Sequence, residues 1–174
     1  MSSKSQKALI VIDLQNDYFS GGKFPLWNPE ATLKNVEEAI KKANELQVPV
    51  IIVQHIAKGQ GGPFFNEGTV GAAVHERIKS AAPNAPVVVK EFADSFHNTT
   101  LDPTLQSLYV TDLLVCGMMT QNCVTHTAIS KAAEKYNSVT VLADCCTTVN
   151  EAIHNIALHG MSTRVPLKPF NEAL

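Results

Sequence analysis

The sequence predicts a three-layer α/β/α sandwich on a parallel sheet. Short apolar runs alternate with helical patterns along the chain, the β-α-β-α order that parallel sheets need. The first run, Ala8 to Ile12, is continuous rather than alternating, as in strands buried on both faces. Residues capable of chemistry stand where runs end. Asp13 follows the first, Lys90 the third, and Cys123 follows the fourth after a short turn. Ligands of such sheets bind beyond the carboxyl ends of the strands.

After the Ala8 to Ile12 strand, Asn28-Pro29-Glu30 reads as an N-cap with proline in the first helical position. Leu33, Val36, Ile40, Ala43 and Leu46 then recur at helical spacing, with Lys and Glu opposite, and Pro49 closes the helix. Val50 to Val53 is the second strand. Residues 56–72 are rich in glycine and aromatics without periodicity, and a loop of that length in a compact domain is usually functional. A weak helix covers Ala73 to Ser80. Pro83 and Pro86 flank a turn into the strand Val87 to Val89, which ends at Lys90.

A helix over Leu101 to Leu108 precedes the fourth strand, Val110 to Cys116. A helix from Asn122 to Tyr136 leads to the fifth strand, Val139 to Ala143, which ends at Asp144. Asn150 to His159 is a helix stopped by Gly160. Thr163 to Leu167 is a sixth strand, at an edge because of Pro166.

The 174 residues suffice for one domain, 1–174, that buries most of its apolar surface. A net charge of −2 gives no basic footprint, so no nucleic-acid partner is expected. The apolar run before Asp13 is too short for a signal peptide, and no stretch approaches the roughly 20 apolar residues of a membrane span. The expectation is a cytoplasmic protein, with no membrane partner and free thiols. None of its four cysteines, Cys116, Cys123, Cys145 and Cys146, has zinc-site spacing.

Cys123 lies in Cys116-Gly117-Met118-Met119-Thr120-Gln121-Asn122-Cys123-Val124, a strand, a tight turn and a helix start. With Thr120 as N-cap, Cys123 falls in the first turn. Free N–H groups and the helix dipole there favour a thiolate, and the same N–H groups can receive an oxyanion. Position alone fits a small buried filler equally well. Asp13 alone reads also as a structural acid, and Lys90 as a surface lysine with its stem on an apolar wall. Together they make a coherent set. An acid takes the thiol proton and passes it to a leaving amine, and a lysine pairs with that acid.

These segments resemble one family. Asp13-Leu14-Gln15-Asn16-Asp17 after an apolar strand is similar to the opening motif of isochorismatase-like hydrolases. Val88-Val89-Lys90, followed by Ser95-Phe96, resembles the family's lysine segment. Gly117 to Val124 resembles its nucleophile motif, and Ala143-Asp144 also fits. The likeness runs from about residue 7 to 167.

The resemblance implies a six-stranded sheet of order 3-2-1-4-5-6 and an Asp-Lys-Cys triad of Asp13, Lys90 and Cys123. It also implies a cis peptide at Met118-Met119, with the backbone N–H groups of Met119 and Cys123 as the oxyanion hole. The implied activity is a cysteine hydrolase, acting as an amidase on a small molecule. Homo-oligomers, dimer or tetramer, are usual in the family.

Metal-dependent nicotinamidases carry an Asp-x-His motif after strand two, where this chain reads Gln54-His55-Ile56-Ala57. No metal and no other cofactor is therefore expected, and His55 reads as part of the pocket wall. Phe64 and Phe65 of the long loop, with Phe19, Trp27 and Phe96, are the other candidate substrate contacts; core packing accounts for Phe19 and Phe96 nearly as well. Asp17 reads as a turn cap or as a substrate contact.

Three other readings compete with this one. A vinyl-ether hydrolase of isochorismatase type would want basic residues near the pocket, and the only arginines, Arg77 and Arg164, lie in no motif. A non-catalytic binding protein on the same fold would not need the set of three. A receiver domain would need a phospho-acceptor where Lys90 stands, and is excluded.

Overall fold

The computed structural model describes residues 5–59 and 61–174. Six strands form one parallel sheet in the order β3-β2-β1-β4-β5-β6. They are β1 (Lys7–Ile12), β2 (Val50–His55), β3 (Val87–Lys90), β4 (Asp112–Met118), β5 (Ser138–Thr147) and β6 (Leu167–Lys168). The helices are α1 (Pro29–Glu45), α2 (Glu76–Ala81), α3 (Leu101–Ser107), α4 (Thr125–Ala128), α5 (Glu151–Ser162) and α6 (Phe170–Ala173). They flank the sheet, as the alternation of patterns requires.

The apolar run that opens the chain is the middle of the core. Ala8 through Ile12 are wholly buried between β2 and β4. On one face α1 buries Leu33, Val36, Ala39, Ile40 and Ala43. Leu46 falls outside this helix and is exposed. Asn28 stands at its N-cap position but in a left-handed conformation, and its side chain caps nothing.

Val87 to Val89 are buried on alternate residues. β3 is an edge strand, and Val87 and Val89 face out while Val88 and Lys90 face in. The last strand is shorter and later than Thr163 to Leu167, because α5 does not stop at Gly160. A side chain there would meet nothing within 4 Å, and the helix continues to Ser162.

The helix from Asn122 to Tyr136 is interrupted. A π turn spans Thr120–Val124, α4 follows, and a separate 3-10 turn covers Lys131–Lys135. Short polar side chains that bond locally cause the break. Thr125 Oγ1 donates to the Thr120 carbonyl at 2.6 Å. Ser130 Oγ accepts from the Ala132 N–H and donates to Asp94.

The long loop is tied down by Asp17. Its buried carboxylate accepts the Phe65 N–H at 2.8 Å and the Lys23 N–H at 3.1 Å. Asp17 is thus a turn cap. Gly71 must be glycine for this to hold, since a Cβ there would lie 2.1 Å from the Asp17 carboxylate. Among the described residues, no helix is long and apolar enough to cross a membrane.

Candidate active site

Parallel register brings the three strand ends together. Ile12 pairs with Val53 on one side and Gly117 on the other, and His55 pairs with Lys90. Asp13 leaves β1 in a left-handed conformation (φ 54°), which aspartate tolerates better than most residues. Its N–H still donates to the Val53 carbonyl at 3.0 Å. Asp13, Lys90 and Cys123 are all buried, at 0%, 1% and 2% exposure.

Lys90 is the hub. Its ammonium lies 2.9 Å from Asp13 Oδ2, 2.9 Å from His55 Nδ1, 3.0 Å from the Phe92 carbonyl and 3.1 Å from Cys123 Sγ. Asp13 is held by charge rather than by angle. Neither of its oxygens receives a well-directed hydrogen bond among the described residues, which leaves lone pairs for a proton.

The electrostatics follow from burial. Burial alone would lower the Lys90 pKa, but the charges of Asp13 and Cys123 raise it above the ordinary value, so the ammonium persists. Burial, then the neighbouring Asp13, pushes the Cys123 thiol well up against the pull of Lys90. Burial thus works against the thiolate that a helix start favours. Thr120 does not cap that helix either. Its hydroxyl sits 2.8 Å from His154 Nδ1, and Met119 takes the N-cap position.

The backbone around the nucleophile turn is unusual. The Met118-Met119 peptide is cis, and Gly117 has φ 124°. The Met119 N–H donates to no protein acceptor among the described residues. Cys123 lies within the π turn that follows.

Asp13, His55 and Cys123 offer donor atoms within 4.8 Å of one another, types that also bind zinc. The Lys90 ammonium already contacts all three residues. These side chains fit a cation supplied by the protein, and a metal would have to displace it.

The aromatic candidates divide. Phe65 is buried with its ring 6.0 Å from that of His55, and Phe64 packs edge-on against it at 5.0 Å. Trp27 lies 5.9 Å from His154, the residue that holds Thr120. Phe19 packs on His75 and Phe96 lies toward Tyr136, so both are buried against other neighbours.

Sequence reasoning missed Tyr18. It is buried, with its ring 4.5 Å from that of Phe65. Burial, with Asp13, Cys123 and Asp17 nearby, raises its pKa. Its place directly after the Asp13 to Asp17 motif was the available signal. Gln15 was quoted in that motif without a role. It accepts the His55 N–H and donates to the carbonyls of His55 and Ala72, each at 2.8 Å.

Hollows of about 320 and 580 Å³ lie elsewhere, one beside Tyr136 and Arg164, the other between Asn44 and Leu108. The cluster of Asp13, Lys90 and Cys123 is at the carboxyl edge of the sheet, away from these hollows.

Comparison with known proteins agrees with this geometry. The family model described as the isochorismatase domain matches residues 7–168. The isochorismatase family protein YddQ of Bacillus subtilis is 39% identical over 141 residues, covering 81% of this chain and 78% of that protein. Two Arabidopsis thaliana proteins are more distant. A "Probable inactive nicotinamidase" is 28% identical over 170 residues, 88% of this chain and 87% of its own length. Nicotinamidase 3 is 29% identical over 166 residues, 89% of this chain and 80% of its own. A crystal structure from Oleispira antarctica, reported for an isochorismatase-type hydrolase, superposes with a TM-score of 0.88 at 29% identity, covering 99% of this chain and 98% of that one.

Proposed function

The chain belongs to the isochorismatase family, and from that premise we propose that it is a cysteine hydrolase that opens a small amide or related C–N bond through a thioester. The observation that carries this reading is the Lys90 ammonium touching both the Asp13 carboxylate and the Cys123 sulfur. A binding site has no use for a buried acid, a buried ammonium and a thiol in mutual contact, because each charge is costly to desolvate.

In this reading Asp13 takes the thiol proton as Cys123 attacks the carbonyl carbon. Proton transfer and attack belong together, since burial disfavours a free thiolate. The oxygen turns negative and is received by the backbone N–H groups of Met119 and Cys123. The C–N bond breaks, and the nitrogen leaves with the proton from Asp13. Water then attacks the thioester, giving its proton through Asp13 to the departing sulfur. Lys90 holds the Asp13 carboxyl beside the sulfur and offsets the negative charge that develops there. Phe64, Phe65, Tyr18, Trp27 and His55 form the walls.

A thiol nucleophile needs an electrophilic carbonyl, which a vinyl ether lacks, so the amide is favoured over the vinyl ether. Likeness to a nicotinamidase supports the same choice. Likeness to a relative described as inactive keeps a binding-only protein as the rival.

Ammonia release across a panel of primary amides and ureido acids tests the reading. Wild type should turn over at least one of them, and Cys123→Ala should lose about a thousandfold or more. Equal turnover by both proteins would overturn the nucleophile. Silence from both would overturn the amide reading in favour of a vinyl ether or of binding alone.

A further inference from the structure

We propose that His55 is a positioning residue for Lys90: its neutral ring, accepting at Nδ1, aims the ammonium at Cys123 and Asp13. This rests on the reading of Cys123 as nucleophile.

The geometry begins with the sheet. His55 and Lys90 are register partners on adjacent parallel strands, so their side chains rise from the same edge. The His55 backbone is fixed on both sides by the Gln15 carboxamide, and Ile56 N–H donates to the Lys90 carbonyl at 2.9 Å. The imidazole has little freedom left, with Phe65 on its flank.

An ammonium has three protons and no lone pair. Four acceptors surround that of Lys90, and three of them, the Asp13 carboxylate, the Phe92 carbonyl and the Cys123 sulfur, have nothing to donate to it once the thiol is ionised. The fourth, His55 Nδ1, accepts only when that nitrogen carries no proton, which fixes the proton of a neutral ring on Nε2.

A protonated imidazole would set two positive charges 2.9 Å apart in a half-buried site. Burial, followed by the Lys90 charge, lowers the His55 pKa, with Asp13 and Glu91 pulling the other way. The charged and titratable groups facing His55 are thus Lys90, Asp13, Cys123 and Glu91. The neutral ring is the resting form at neutral pH, and acidification displaces the ammonium.

The test follows alkylation of Cys123 by iodoacetamide, read by mass spectrometry against Cys123→Ala as background, from about pH 5 to pH 9. If His55→Ala lets the ammonium drift and the thiol pKa rise by one unit, labelling near pH 7 falls about tenfold. His55→Asn offers an acceptor that does not titrate. It should keep most of the wild-type rate near neutrality and lose the extra fall on the acid side that wild type should show.

Labelling of His55→Ala at the wild-type rate with the wild-type pH profile would overturn the proposal. So would an acid limb unchanged in His55→Asn. Labelling that fails to distinguish wild type from Cys123→Ala removes the nucleophile itself, and the role of His55 with it.

Discussion

At the scale of single residues, Lys90 answers for both stability and chemistry. Its ammonium is the counter-charge to a fully buried carboxylate. Lys90→Met leaves the buried Asp13 carboxyl without its counter-charge, which costs about 3–5 kcal/mol. Removing both charges, in Asp13→Asn with Lys90→Met, should return most of that stability while turnover stays absent. Urea unfolding midpoints set beside ammonia release check this, and a double variant no more stable than Lys90→Met would refute it. The three candidate catalytic residues were legible because strand ends advertise themselves in sequence: each follows an apolar run. Partners contributed from far away were not legible. Thr120 reads as a cap until His154, 34 residues later, takes its hydroxyl. Tyr18 meets Phe64 and Phe65 only once their loop folds over it.

At the scale of elements, the site depends on how closely β4 approaches β1. Gly117 stands opposite Ile12 with φ 124°, and a Cβ on it would lie 2.0 Å from the Ile12 carbonyl oxygen. Backbone cannot yield there as a side chain can. Gly117→Ala should cost about 2 kcal/mol or more through strain and overpacking and should abolish turnover, because Cys123 is carried by the turn that Gly117 begins. Thermal unfolding and the amide panel measure both effects, and a variant of wild-type stability would refute the steric argument. The first four strands were legible to within about two residues, since apolar runs mark them, whereas β5 runs on to Thr147 and β6 begins only at Leu167. Helix continuity was less so. The Asn122 to Tyr136 pattern has helical composition, but Thr125 and Ser130 divert their hydroxyls into local bonds that end each segment.

At the scale of the whole molecule, the two ends of the sheet divide the labour. The carboxyl end holds the buried charges. The amino end holds Asp112, whose carboxylate accepts from the hydroxyls of Ser5, Thr111 and Ser138. Burial would raise its pKa, but those three hydroxyls lower it overall. The layered fold followed from the alternation of runs and helices alone. The strand order came from the family likeness, because nothing local in a strand says which neighbour it will take.

The position of β3 has a kinetic consequence. It is four residues long and hydrogen-bonds to β2 alone, yet it delivers the lysine. Edge strands open at lower free energy than the middle of a sheet. Amide exchange should therefore be faster in Val87–Lys90 than in Lys7–Ile12, and mild urea should silence turnover before the global transition begins. Coincident loss of activity and of far-ultraviolet signal would show that the strand opens only with the rest. If the strand opens first, activity is lost as a local event, and a protein that still counts as folded has already stopped working.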